Sequence, residues 1–192
     1  MASRYDDELW ELVPDDGGPP PAALAEFVRA LPRVERALDL GCGNGRLTAE
    51  LRAAEVIAAD VSAVALERAR RRVPGARALE LEPDAPLPLE DASVDLVLCA
   101  ETIEHVRDVQ LLLSEARRVL RPGGTLALTT PGHGRLTGLR ILARGFEASF
   151  DPLSPHLRFL TGRSLRGLLG EMGFEVRSLR RRGGALLALA TR

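Results

Sequence analysis

The chain of 192 residues contains no lysine; all 26 of its basic residues are arginine. A Schiff-base lysine or a lysine general base is thereby excluded. Cysteine is scarce as well. Cys42 and Cys99 are the two thiols, too few for a disulfide framework, and point to a reducing cytoplasmic setting. Aromatic residues make up only 4%, with Tyr5 and Trp10 both close to the start. No apolar run approaches the ~20 residues needed to span a bilayer, so no membrane role is expected. Met1 to Trp10 is polar and acidic, without a signal-peptide core. A formal net charge of -1 supplies no global field toward nucleic acid or membrane. The length suits one domain with a full core.

What the chain does have is a glycine-rich turn at Ala37 to Arg46. Ala37, Leu38 and Leu40 read as a buried strand, and Gly41, Gly43 and Gly45 as the turn. A helix is expected over Arg46 to Arg52, its N-terminus pointing into the turn as a seat for an anion. Asp39 is expected at the mouth of the same crevice. The pair suits a ligand carrying both a cation and an anion. A dinucleotide fingerprint would place its third glycine at position 46, which is Arg46.

Around this turn the patterning alternates strand and helix. Residues 1–21, with Asp15-Asp16-Gly-Gly and Pro19-Pro20-Pro21, read as a flexible arm or lid before a domain over 22–192. Its two aromatics either pack on the core or cover substrate. A helix is expected from Ala22 to Leu31. A second strand over Val56 to Ala59 ends on Asp60, placed to hydrogen-bond ribose hydroxyls; the alternative is an N-cap, which Ser62 supplies equally well. A helix at Ala63–Val73, a strand at Arg77–Leu81 and an apolar strand at Asp95–Ala100 follow. A helix at Leu111–Leu120 stops at Arg121-Pro122-Gly123-Gly124 before a fifth strand at Thr125–Thr130. The stretch from Pro131 to Pro155 is irregular, with a short helix at Leu136–Leu142. A helix at Thr161–Met172 and a hairpin of Phe174–Leu179 and Ala185–Ala190 close the chain.

Asp39-x-Gly41-x-Gly43-x-Gly45, Asp60, and the phrase R-V-L-R-P-G-G-x-L from Arg118 to Leu126 resemble the class I S-adenosylmethionine-dependent methyltransferases. The resemblance covers roughly residues 35–192. It implies an α/β, Rossmann-like, seven-stranded and mostly parallel sheet with one antiparallel strand and helices on both faces. It further implies S-adenosyl-L-methionine held by Asp39, Gly41, Cys42, Gly43, Gly45, Asp60, Val61, Ala100 and Glu101. Asp84, or second to it Glu82, falls near the adenine amino group, since Leu87-Pro88-Leu89 matches the stretch that follows in the family.

The acceptor side offers one clue, Glu101-Thr-Ile-Glu104-His105. As the start of a helix, this spacing would gather two carboxylates and an imidazole at one crevice. With His156 they make a candidate divalent-metal set. The pattern E-x-x-E-H resembles the quinone-biosynthesis O-methyltransferases and the small-RNA 3′-terminal 2′-O-methyltransferases. From the RNA enzymes the chain departs by lacking a basic tract other than Arg177 to Arg182. Two alternatives stand beside metal ligation: His105 or His133 as a metal-free base or substrate contact, and purely structural roles. The expected activity is methyl transfer to an oxygen of a small-molecule acceptor. An RNA acceptor and a non-catalytic binding module are the alternatives. The expected assembly is a monomer or homodimer.

Overall fold

A computed structural model describes residues 2–15, 18–146, 150 and 154–192. Asp16 and Gly17 of the first breaker, and 147–149 and 151–153 of the irregular stretch, lie outside the described residues. The elements in chain order are α1 (Ala2–Leu12), α2 (Ala22–Arg29), β1 (Val34–Leu40), β2 (Ala53–Asp60), α3 (Ala63–Arg72), β3 (Arg77–Glu80) and β4 (Val94–Ala100). There follow α4 (Val109–Val119), β5 (Leu120–Pro131), α5 (Arg135–Arg144), α6 (Gly162–Glu171), β6 (Glu175–Arg182) and β7 (Ala185–Thr191).

The seven strands form one sheet in the order β3-β2-β1-β4-β5-β7-β6. β1 to β5 pair in parallel, and β7 runs antiparallel to both of its neighbours, so a single strand is reversed. Alternation along the strands sorts the core into two layers, because successive side chains leave opposite faces. Leu38, Leu40, Val97, Cys99, Leu126 and Leu128 pack against Leu113 and Val119 of α4 and Leu165 and Leu169 of α6. Ala37, Leu96, Leu98 and Ala127 face Val28 of α2, while Ala58 meets Leu66 and Ala69 of α3. Each fully buried leucine contributes about 1.5–3 kcal/mol, so the two-sided packing carries most of the stability.

Two expectations change. The segment from Arg46 to Arg52 is not an α-helix; it is a run of turns with one 3-10 turn at Thr48–Glu50. β2 begins at Ala53 rather than Val56, pairing Val34 with Ala53, which leaves too few residues for a helix. Thr48 is also drawn inward to Asp39. The helix-end anion seat expected here is therefore absent. Second, the Arg121-Pro122-Gly123-Gly124 stop lies within β5, at an irregularity in the β4–β5 ladder between Val94 and Leu96. α4 already ends at Val119, and the backbone of Leu120 after it is extended. Within the expected arm before residue 22, Ala2–Leu12 forms a helix.

Candidate active site

The chain runs from β1 outward to β2 and β3, then returns to β4 on the other side of β1. Such a switch point opens a crevice beyond the carboxyl ends of the strands. The glycine turn sits there, tied down by Gly41 and Cys42 amides that both donate to Ala59 O, at 2.8 and 2.9 Å. Gly41 and Gly43 have φ of 80° and 53°, which side chains rarely tolerate. A Cβ on Gly45 would lie 3.1 Å from Ala69 Cα, so this third glycine serves contact with α3.

Asp60 ends β2 and is 8% exposed. Its Oδ2 accepts from the Gly43 amide at 2.8 Å and its Oδ1 from the Ser62 amide at 3.0 Å. Burial raises its pKa, against the pull of these amides. Ser62, not Asp60, caps α3, with its hydroxyl accepting from the Ala65 amide. Val61 follows at the crevice edge. Asp39 lies beneath the turn rather than at its mouth. It is 1% exposed, accepts from Thr48 Oγ1 at 2.6 Å, and is pushed up to about 7 by burial. Cys42 is buried, and burial raises its thiol. Asp84 stands in the loop after β3, where it pairs with Arg107 from the loop after β4. Glu82 shares that loop.

Ala100 ends β4, and the next residue, Glu101, takes φ of 52°. This strained position is held by its amide donating to Thr129 O and by Thr129 Oγ1 donating to its carboxylate at 2.8 Å. The stretch to His105 is a turn rather than the expected helix start; α4 begins only at Val109, capped by Asp108. Glu104 is nonetheless brought to the same place. It is 1% exposed, its Oε2 accepts from Thr130 Oγ1 at 2.9 Å, and its Oε1 is buried with no partner. Burial lifts its carboxyl to about 7.

Three of the four metal candidates converge. Ligand atoms of Glu104, His105 and His156 lie within 4.8 Å of one another. Glu101 is not in this group; its carboxylate is turned to Thr129. His105 Nδ1 lies 3.2 Å from Pro155 O, which must accept, so a neutral ring carries its lone pair on Nε2. That nitrogen lies 3.9 Å from the orphan Glu104 Oε1. Burial lowers the His105 pKa, favouring the neutral ring. Two acceptors thus face each other, an arrangement that calls for a proton or cation between them. The strand-like segment before α6 is pinned by the Leu157 amide donating to Glu104 O. His133, just after β5, donates its amide to Leu160 O; its ring stands edge-on to Phe159, with Nε2 buried and unpartnered.

Thr48, Thr129 and Thr130 were not singled out by the sequence. The signal for the last two is positional: they end the strand beside β4, so their hydroxyls reach the acids that follow it. The arginine run on β6 is largely tied internally. Arg177 pairs with Glu175 and Arg182 with Glu26, both at 2.6 Å, and Arg181 donates to Gly132 O.

Residues 38–128 match the methyltransferase domain family. Over 184 residues, 90% of this chain, the sequence is 35% identical to the malonyl-(acyl-carrier protein) O-methyltransferase of Methylococcus capsulatus. By these matches the chain is similar to the S-adenosylmethionine-dependent methyltransferases. A second malonyl-(acyl-carrier protein) O-methyltransferase, from Enterobacter lignolyticus, is 34% identical over 154 residues, 77% of this chain. The chain spans 60% and 59% of the lengths of these two relatives. In fold, it is similar to an S-adenosylmethionine-dependent methyltransferase of Aquifex aeolicus, with a TM-score of 0.67 at 20% identity, covering 99% of this chain and 96% of that one. Within this fold, the glycine turn and Asp60 stand together at the carboxyl ends of β1 and β2.

Proposed function

We propose that the protein transfers a methyl group from S-adenosylmethionine to a hydroxyl oxygen of a small-molecule acceptor. The observation that carries this reading is the pair of facing acceptors, Glu104 Oε1 and His105 Nε2, at the carboxyl ends of β4 and β5. A hydroxyl is a weak nucleophile until its proton leaves, and this pair is built to receive one. The sulfonium already carries a good leaving group, so the chain's main tasks are alignment and proton removal. Two relatives named as O-methyltransferases support oxygen as the acceptor atom.

In this reading Asp60 and the glycine turn hold the cofactor, with Asp60 meeting the ribose hydroxyls. Thr130 fixes the Glu104 carboxylate so that Oε1 faces His105. His105 takes the acceptor proton at Nε2 while Pro155 O steadies the Nδ1–H. A carboxyl acceptor would need no base, so the pair favours a hydroxyl.

The same three side chains fit a divalent metal. An unpartnered buried carboxylate oxygen and two imidazoles suit manganese, iron, cobalt or zinc better than magnesium, which prefers oxygen and retained waters. Glu104, His105 and His156 would hold it, and bound there it would lower the pKa of an acceptor hydroxyl. Labelled cofactor, incubated with the purified protein and a panel of hydroxylated metabolites, tests the activity. Label on oxygen is expected; label only on nitrogen or carbon would overturn the reading. Loss of turnover with a chelator and return with one of those four ions supports the metal, while chelator-insensitive turnover leaves His105 as the base.

A further inference from the structure

The inner face of α1 is unsuited to ordinary core packing. Among its described side chains, the half-buried ones are Asp6, Asp7, Leu9 and Trp10, whereas Tyr5 and Leu12 point outward, the latter 82% exposed. An amphipathic helix held by burial alone would place its apolar side chains inward. α1 is instead held by polar contacts at the rim of the cofactor crevice. Asp7 Oδ1 accepts from Ser62 Oγ at 2.6 Å and from the Val64 amide at 3.2 Å, both at the start of α3. Arg68 of α3 donates to Val13 O and pairs with Asp15 just past the helix. These contacts lay the indole of Trp10 flush on the glycine turn: a Cβ on Gly43 would stand 2.7 Å from Trp10 Cζ2. Asp6, next to Asp7, lies close enough to Asp60 and Arg107 to feel both charges. The helix therefore lies along the start of α3 with Trp10 over the glycine turn.

We infer that α1 is part of the cofactor site, with Trp10 as its wall over Gly43 and Asp7 as the latch that seats the helix. This rests on the cofactor reading above. A flat indole beside the turn offers a ligand an apolar face, and the two aspartates add negative charge where a sulfonium ligand is positive. Because α1 is seated by a few side-chain contacts on α3 and by one indole, a ligand touching Trp10 stabilises the docked helix by linkage.

Trp10 is the chain's single tryptophan, so its emission reports on α1 alone. The experiment titrates the full chain with S-adenosylhomocysteine, following the heat of binding and Trp10 fluorescence in parallel. Emission is expected to change saturably with the calorimetric Kd. Trp10→Ala is expected to raise that Kd about ten-fold, as fits the loss of one buried aromatic contact, and Trp10→Phe less. Asp7→Ala is expected to raise the Kd several-fold and to red-shift Trp10 emission before ligand is added. An unchanged urea midpoint and far-ultraviolet spectrum in Asp7→Ala would show that the sheet is intact. Emission that stays constant through calorimetric saturation overturns the inference. So do variants that bind within two-fold of the native chain. Tighter binding by Asp7→Ala overturns it too, by placing α1 in the ligand's own space. No heat of binding from the native chain would instead defeat the cofactor reading, and the role of α1 with it.

Discussion

Thr130 Oγ1 donates to Glu104 Oε2 at 2.9 Å, and this one bond decides which carboxylate oxygen faces His105. With Oε2 satisfied, the orphan Oε1 is left 3.9 Å from His105 Nε2. Replacing Thr130 by valine keeps the shape and removes the donor. Thr130→Val is expected to lower kcat by roughly 10- to 100-fold, as suits the loss of one orienting hydrogen bond near a general base, with KM for the cofactor nearly unchanged. Steady-state kinetics check this. Equal losses in kcat and in cofactor affinity would show that Thr130 serves the fold rather than the base.

Asp60 satisfies two buried amides, those of Gly43 and Ser62, and in the proposed mechanism the ribose as well. Asp60→Ala strands these amides and is expected to weaken cofactor binding by about 1–3 kcal/mol. Asp60→Asn, which retains one acceptor oxygen, should fall between. Calorimetric titration of the two variants gives the order directly.

Asp39 gives a pH dependence with a definite sign. Burial holds its carboxyl near 7, far above the ordinary value of 3.8. Between these values the unfolded chain loses its proton while the folded chain keeps it. The Asp39 contribution to stability is therefore greatest below about pH 4, declines at about 1.4 kcal/mol per pH unit through the window, and stays lower above 7. Asp60 and Glu101, also raised mainly by burial, push in the same direction. Asp39→Asn keeps an acceptor for Thr48 and removes the buried charge. Its Tm at pH 8 is expected to exceed the native value by several degrees, on the order of 2–4 °C per kcal/mol for a chain of this size, with a shallower pH slope. A Tm below the native value at pH 8 would contradict this.

Gly45 tests the packing of the turn against α3. Its φ is 78°, and an added Cβ would lie 3.1 Å from Ala69 Cα, a backbone atom with little room to move. Gly45→Ala is expected to cost about 1–3 kcal/mol of stability, read as a lower urea midpoint at constant m. An unchanged midpoint would mean that α3 yields.

The sheet was legible because its strands are marked by continuous apolar runs and its helices by spacing. Leu38, Val97 and Leu126 announce the same buried face that the structure assembles. The segment after Gly45 was misread because its composition suits a helix, while the early start of β2 and the pull of Asp39 on Thr48 decide otherwise. The gathering of Glu104, His105 and His156 was legible only in part. Glu104 and His105 are neighbours in sequence, but they meet through a turn rather than along a helix. His156 joins them through the Leu157–Glu104 backbone bond, which no local pattern encodes. The side-chain partners of the acids, Thr129 and Thr130, follow from strand adjacency and so emerge only with the topology.

Titrating the native chain with S-adenosylhomocysteine in a calorimeter, and repeating the titration with Asp60→Ala and with NADH, asks whether the crevice is an S-adenosylmethionine site. Such a site binds S-adenosylhomocysteine saturably and one-to-one in the native chain, with a Kd raised about five-fold or more in Asp60→Ala, in line with about 1–3 kcal/mol, and gives no heat with NADH. Binding of NADH in place of S-adenosylhomocysteine, or affinity for S-adenosylhomocysteine untouched by Asp60→Ala, would contradict it.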